Sequence, residues 1–191
     1  MKPKNPPHPQ KPNEQNHGNP RDRSYSAARK VSVIGIYAAA AVVISAVEGA
    51  VPAMPFMPPG AKAGLSNIIV MFLAIEAGLP AAISVAVFKS VFALATRGVT
   101  AALMSISGGV VSSVVIFLLC RRKLFGCIGI GVGGASAHNL AQLCVSLLII
   151  GDAARFYFPM LMIFGIASGI LTGFLLKLLL PAMHKSFLFT K

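Results

Sequence analysis

Acidic side chains are scarce in this chain of 191 residues, which carries only five of them. They are Glu14, Asp22, Glu48, Glu76 and Asp152. No two are placed to hold Mg²⁺ jointly on a diphosphate, as carboxylate-paired phosphate chemistry requires. His138 has no Cys, Asp or second His at the spacing of a catalytic triad or a metal site. The sequence therefore predicts no catalytic residue, no metal site and no cofactor.

Cysteine pairs and nucleotide-binding motifs are also missing. The three cysteines, Cys120, Cys127 and Cys144, have no C-x-x-C spacing and lie in or beside apolar runs. This pattern supports neither a disulfide framework nor a zinc site. No G-x-x-x-x-G-K-[ST] motif occurs, so the chain cannot energise transport by itself as a P-loop ATPase. The glycines of GIGVGG (129–134) match a dinucleotide fingerprint as a string but lack the preceding strand and the βαβ unit.

Charged residues of either sign make up only 12% of the chain, whereas 55% of the residues are hydrophobic. Soluble domains carry about 25% charged residues, so the composition predicts an all-α polytopic membrane protein. The net charge of +12 would also suit nucleic acid. However, seven of the seventeen basic residues precede position 31, and most others flank apolar runs, as the positive-inside rule requires. The expected partner is therefore the lipid bilayer and not nucleic acid.

The order of polar and apolar segments predicts the domain organisation. Residues 1–30 are rich in Pro, Asn, Lys and Arg, and we expect a disordered basic tail in the cytoplasm. Residues 31–181 are expected to form a domain of six transmembrane helices, followed by a short cytoplasmic tail at 182–191. The predicted spans are roughly Val31–Val51, Gly64–Leu79, Pro80–Thr96, Thr100–Cys120, Leu124–Ile150 and Phe156–Leu180.

The flanking residues predict how these spans are oriented in the cell membrane. Basic residues precede the first span, and Arg121 to Lys123 follow the fourth, which places both segments in the cytoplasm. The proline-rich loop from Pro52 to Ala63 should lie outside. The break between spans two and three is expected at Gly78 to Pro80, because proline disfavours helix in the residue before it. An even number of spans leaves both termini in the cytoplasm.

The stretch from Gly126 to Leu143, GCIGIGVGGASAHNLAQL, is where we expect a binding site. On a helix His138 and Gln142 share a face, with Asn139 beside them. Polar side chains in hydrocarbon are costly unless they find partners, so they usually point into a bundle or a wet cavity. The preceding glycines would let neighbouring helices approach closely.

Other polar residues are expected at similar depths in the membrane, so they could lie near the face that carries His138 and Gln142. Lys89 lies about 14 Å into span three, near the midplane, where a lysine costs about 2.5 to 3.5 kcal/mol. Glu76 is near the cytoplasmic end of span two and is left out. The residues predicted to border one outward-facing substrate cavity are Glu48, Lys62, Asn67, Lys89, Arg97, His138, Asn139 and Gln142.

Several of these residues have a structural interpretation as well. Lys62 and Arg97 suit interfacial anchors whose charged ends reach water. His138 and Asn139 could join helices by hydrogen bonds, and Glu48 could be the counter-ion of Lys89. Three glycines at strict four-residue spacing in the last span are explained fully by helix packing. They are Gly165, Gly169 and Gly173.

Three motifs in this order resemble the Gx transporter family, whose members are often labelled heptaprenyl diphosphate synthase component I. They are PGAKAGLSN (59–67), SISGGVVSS (105–113) and GGASAHNLAQL (133–143). The family in turn is similar to the membrane-embedded S components of energy-coupling-factor vitamin transporters. That resemblance implies six helices, an outer substrate pocket under a loop that acts as a lid, and an energising partner of transmembrane subunit and ATPases.

Two features bear on what the resemblance implies. Prenyl diphosphate synthases resemble soluble helical enzymes with D-D-x-x-D motifs, and this chain has none, so we expect no enzyme activity. S components typically dock on their partner through Ala-x-x-x-Ala on the first helix. Here Ala38 is followed four residues later by Val42, while Gly35 with Ala39 offers a small-residue substitute.

Two functions follow from the sequence. The first is a membrane subunit that captures a small anionic molecule, resembling a vitamin, a flavin or an isoprenoid or quinone precursor, in an outward-facing pocket. The second is a non-catalytic membrane accessory or scaffold subunit of an isoprenoid, quinone or flavin-linked redox assembly. A co-purified small molecule would favour the first function, and stable co-purification with an enzyme would favour the second.

Overall fold

The computed structural model describes residues 20–50, 64–122 and 125–188, with side chains for 28–50, 64–122 and 125–185. All regular structure within these ranges is helical. The elements are α1 (Pro20–Ala50), α2 (Asn67–Glu76), α3 (Leu79–Arg97), α4 (Val99–Arg122), α5 (Cys127–Ile150), a 3₁₀-helix (Gly151–Tyr157) and α6 (Phe158–Leu188).

The short helix α2 forms the centre of the bundle. Its residues from Asn67 to Ala74 are all buried, and it packs against each of the other five α-helices. A helix that is hydrophobic on all sides is typical of a buried position, and here the other helices and not lipid surround it. Its ten residues span about 15 Å, roughly half the hydrocarbon thickness of a bilayer. The prediction of a longer second span, Gly64–Leu79, was therefore wrong in its bounds.

Two glycines separate helices α2, α3 and α4. Gly78 has φ 86° and precedes α3, with Pro80 in the first turn of that helix. Gly98 has φ 83° and is the single residue between α3 and α4. Positive φ values of this kind cost glycine little and other residues much more. A break between the second and third helices is present, but it lies at Ala77 and Gly78, because Leu79 and Pro80 already belong to α3.

The first and last helices are longer than the sequence predicted. Helix α1 begins at Pro20, a residue type that the first helical turn accepts. Residues 1–19 of the predicted tail and the loop at 52–63 lie outside the described residues. Helix α6 continues through Pro181 to Leu188, so the predicted end at Pro181 was wrong.

Contacts with other helices explain why α6 continues beyond its proline. Pro181 removes one backbone hydrogen bond from the helix. The hydroxyl of Tyr37 on α1 donates to the carbonyl oxygen of Met183 at 3.5 Å. His184 Nδ1 lies 3.0 Å from Glu76 Oε1 at the end of α2. Glu76 is thus away from the predicted site, as the sequence indicated.

Helices α5 and α6 are antiparallel neighbours in the most extensive contact of the bundle. The three glycines of α6 lie at this contact. A Cβ atom added at Gly169 would lie 2.5 Å from the Cα atom of Val132, and one at Gly173 would lie 2.7 Å from that of Ile128. Since backbone atoms cannot move aside as a flexible side chain can, glycine permits the close approach of these two helices.

Large hydrophobic side chains cover the outside of the bundle. Val43 on α1 and Leu148 on α5 are 62% and 87% exposed, and similar residues occur on α3, α4 and α6. Four helical segments are long and apolar enough to cross a membrane: Ala28–Ala50, Leu79–Arg97, Val99–Arg122 and the 59-residue stretch Cys127–Lys185, which contains α5 and α6. Exposed apolar surface on this scale marks a membrane protein.

Candidate functional site

The polar face of α5 points into the bundle. His138, Asn139 and Gln142 are all buried. Helix α4 passes so close to His138 that a Cβ atom added at Gly108 would lie 2.6 to 2.9 Å from three atoms of the imidazole ring. The ring can occupy its position only because residue 108 has no side chain.

A small cavity of about 20 Å³ lies beside this face, between α1, α3, α4, α5 and the first residues of α2. This volume is enough for a water molecule. Lys62 lies outside the described residues, and Asn139 borders an adjoining cavity instead. The predicted site residues that border the main cavity are Glu48, Asn67, Lys89, Arg97, His138 and Gln142.

Two cations and one carboxylate border the cavity. Lys89 is only 6% exposed, and its Nζ atom donates to Oδ1 of Asn67 at 3.0 Å. Arg97, at the end of α3, is partly buried. Among the described residues that border the cavity, Glu48 is the only acid. Positive charge is therefore in excess at this site.

Glu48 holds the turn that precedes α2, a role that the sequence did not indicate. Its carboxylate accepts hydrogen bonds from the backbone N–H groups of Leu65 and Ser66 and, at 3.0 Å, from the Ser66 hydroxyl. A carboxylate at the N-terminal end of a helix also interacts favourably with the helix dipole. Glu48 thereby fixes α1 against α2 at the edge of the cavity.

Two buried polar atoms at this cavity lack a hydrogen-bond partner among the described residues. They are Nδ1 of His138 and Oε1 of Gln142. Leaving a buried donor or acceptor unsatisfied costs about 1 to 3 kcal/mol. Such atoms therefore mark a place where a water molecule or a ligand group is expected to bind.

Asn139 has a different role from its two neighbours. Its Nδ2 atom donates to the carbonyl oxygen of Leu161 on α6 at 2.7 Å. A Cβ atom added at Gly165 would lie 2.8 Å from the same Nδ2 atom. Asn139 thus joins α5 to α6 by a hydrogen bond, which is the structural role that the sequence left open for it.

A second cavity of about 10 Å³ adjoins the first, since Asn67 and His138 border both. Ser112, Ser168 and Thr172 also border it. These residues were not predicted from the sequence, nor were Ser66 and Ser105 at the main cavity. The motifs PGAKAGLSN and SISGGVVSS could have indicated some of these residues, because they contain Ser66, Ser105, Gly108 and Ser112.

The fold and the cavity define a class: an all-helical membrane protein with a cationic, mostly buried polar site. The family described as Heptaprenyl diphosphate synthase component I matches residues 37–179, which is well over half of the chain. The chain belongs to this family, the one that its sequence motifs indicated. No curated protein and no solved structure matches the chain.

Proposed function

We propose that this protein is a membrane-embedded subunit that binds a small anionic molecule in the cavity bordered by Lys89, Arg97, His138 and Gln142. The observation that carries the proposal is that one buried site brings together two cations and two polar atoms that have no hydrogen-bond partner among the described residues. In surroundings of low dielectric, a charge-assisted hydrogen bond to an anion is stronger than at a surface.

The volume of the cavity bears on how binding occurs. About 20 Å³ holds a water molecule, whereas pockets for vitamin-sized ligands measure about 300 to 1,000 Å³. We therefore take the structure as a closed form, in which the helices around the cavity must separate for the ligand to enter. The hydrogen bonds that Leu65 and Ser66 of the turn donate to the Glu48 carboxylate are the contacts that separation of α1 from α2 would break.

The proposal includes the arrangement in the membrane that the sequence predicts. Six helices cross or enter the bilayer of the cell membrane, with both termini in the cytoplasm and the cavity in the outer half. The proposal extends the resemblance of the family to S components, so coupling to a transmembrane subunit with ATPases would supply the energy for transport. The short α2 occupies the centre of the bundle in place of a full span.

Native mass spectrometry of the gently solubilised protein tests the proposal. The wild type should retain a small anionic molecule that Lys89→Met loses, while His138→Ala should retain it in part, since an imidazole supplies a hydrogen bond and not a fixed charge. Lys177→Met is the matched control, because Lys177 is exposed on α6. Retention of the same molecule by Lys89→Met would contradict the proposal.

The second candidate function is a non-catalytic accessory subunit of a synthase or redox assembly. The family description favours it, since it speaks of a component of a synthase. In this case a soluble enzyme should co-purify in a fixed ratio, and no small molecule should be retained. On either function we expect the purified chain alone to form no prenyl diphosphate product, because it lacks the paired acids that bind Mg²⁺.

A further inference from the structure

We infer that the turn before α2, from Gly64 to Ser66, is the subsite for the anionic group of the ligand, and that the Glu48 carboxylate occupies this subsite until the ligand displaces it. The inference rests on the proposed function, because it concerns the same cavity and the same ligand. The anionic group must replace a carboxylate, so it is one with two or more oxygens on a single atom, such as a carboxylate or a phosphate.

The turn already binds an anion, which is the Glu48 side chain. The carboxylate accepts hydrogen bonds from the backbone N–H groups of Leu65 and, at 3.5 Å, Ser66, and from the Ser66 hydroxyl at 3.0 Å. Helix α2 begins at the next residue, Asn67, and its N-terminal end adds a partial positive charge. Backbone N–H groups at the start of a helix form a common binding site for carboxylates and phosphates.

The turn faces the cavity that the proposed function assigns to the ligand. Gly64, Ser66 and Glu48 border this cavity. So do His138 and Gln142, which are 8% and 3% exposed and each have a polar atom without a hydrogen-bond partner among the described residues. The carboxamide of Gln142 has an acceptor oxygen and a donor NH₂ group, and either end can meet a ligand. These two side chains therefore indicate a ligand position next to the turn.

A bound anion and the Glu48 carboxylate exclude each other at this position. Two like charges a few ångströms apart repel strongly in surroundings of low dielectric. The cavity of about 20 Å³ holds a water molecule, which leaves no room for a carboxylate or a phosphate beside Glu48. An anion can therefore bind to the turn only when Glu48 leaves it.

Glu48 is the charged side chain at this site that is placed to leave. It is only partly buried and lies two residues before the end of α1 at Ala50, so water can hydrate its carboxylate after displacement. Lys89, by contrast, is buried, and its Nζ atom donates to Oδ1 of Asn67 at 3.0 Å. Lys89 therefore remains at the site and binds the incoming anion through a charge-assisted hydrogen bond.

This exchange links ligand binding to opening of the cavity. Glu48 satisfies the donors of Leu65 and Ser66 in the closed form, and the ligand satisfies them afterwards, so neither state leaves them unpaired. The ligand thereby replaces the contact that fixes α1 against α2.

Inorganic phosphate tests the inference, with dissociation constants measured from the rise in the unfolding temperature of the solubilised protein at constant ionic strength. Glu48→Ala removes the competing carboxylate, so phosphate should bind this variant about tenfold or more tightly than the wild type. Glu48→Gln should also bind phosphate more tightly, since it removes the charge and keeps the shape, and it supplies the result if Glu48→Ala does not fold. Glu76→Gln is the matched control, because it removes a carboxylate at the other end of α2, and its affinity should equal that of the wild type.

A second substitution locates the bound phosphate. Ser66→Ala removes one donor of the turn, so in the background of either Glu48 variant it should weaken phosphate binding about tenfold. A phosphate held by Lys89 and Arg97 alone would not respond to this substitution.

The outcomes separate the inference from the proposed function. Equal or lower phosphate affinity in a folded Glu48 variant would overturn the inference, and so would tighter binding that Ser66→Ala leaves unchanged. Absence of protection by phosphate in the wild type and in both Glu48 variants would overturn it as well. The proposed function is judged separately, by the small molecule that the wild type retains and Lys89→Met loses in native mass spectrometry.

Discussion

Gly108→Ala is the substitution whose effect the structure predicts most sharply. The added Cβ atom would lie 2.6 Å from Cε1, 2.7 Å from Nδ1 and 2.9 Å from Nε2 of His138. Ordinary van der Waals contacts of a Cβ atom begin near 3.4 Å. The imidazole must therefore move, and it is buried between helices with only the small cavity beside it.

The magnitude follows from two opposing effects. Overpacking a buried site costs about 1 to 3 kcal/mol. Replacing glycine by alanine inside a helix gains about 0.5 to 1 kcal/mol. Gly35→Ala should show only the gain in helix stability and no overpacking, because nothing lies within 4 Å of its added Cβ atom. The free energy of unfolding of Gly108→Ala should therefore fall about 1 to 3 kcal/mol below that of Gly35→Ala.

A double-mutant cycle with His138→Ala identifies the ring as the obstacle. Reversible unfolding of the solubilised protein in mixed micelles provides the free energies. In the His138→Ala background, Gly108→Ala should behave like Gly35→Ala, since no ring remains to be displaced. Additive effects of the two substitutions would show that the ring is not what opposes a side chain at position 108, and the described geometry around His138 would be wrong.

Three further predictions concern other parts of the molecule. Gly169→Ala should destabilise the protein by more than Gly108→Ala, because its Cβ atom would meet backbone atoms of Val132, which cannot rotate away; unchanged stability in thermal unfolding would contradict the α5–α6 contact. A cysteine at Gly60 should react with an impermeant maleimide in intact cells, and the orientation is wrong if it is silent while one at Lys123 reacts. Glu76→Gln should lower stability by about 0.5 to 1.5 kcal/mol by weakening the 3.0 Å contact with His184, and an unfolding midpoint equal to that of the wild type would show that this contact does not hold α6.

The sequence predicted long helices well because their ends carry strong local signals. Helix α4 was expected at Thr100 to Cys120 and lies at Val99–Arg122, between Gly98 and a basic cluster. The end of α6 was predicted wrongly because it depends on contacts that are distant in sequence. A proline is a local signal that a helix ends, but Met183 and His184 contact α1 and α2.

The candidate site was predictable in part. The cost of a polar group in hydrocarbon singled out Lys89, His138 and Gln142, and all three border one cavity. Their proximity depends on how helices pack, which depth alone does not specify. Helix packing also determines two features that the sequence did not predict. They are the role of Glu48, whose partners include backbone groups of the turn before α2, and the need for glycine at position 108.

An experimental structure of the protein purified with its small molecule tests the central claim most directly. The account predicts the ligand in the cavity between α3 and α5, with an acceptor about 3 Å from Lys89 Nζ. A ligand bound elsewhere, or a Lys89 side chain that faces lipid, would contradict the account.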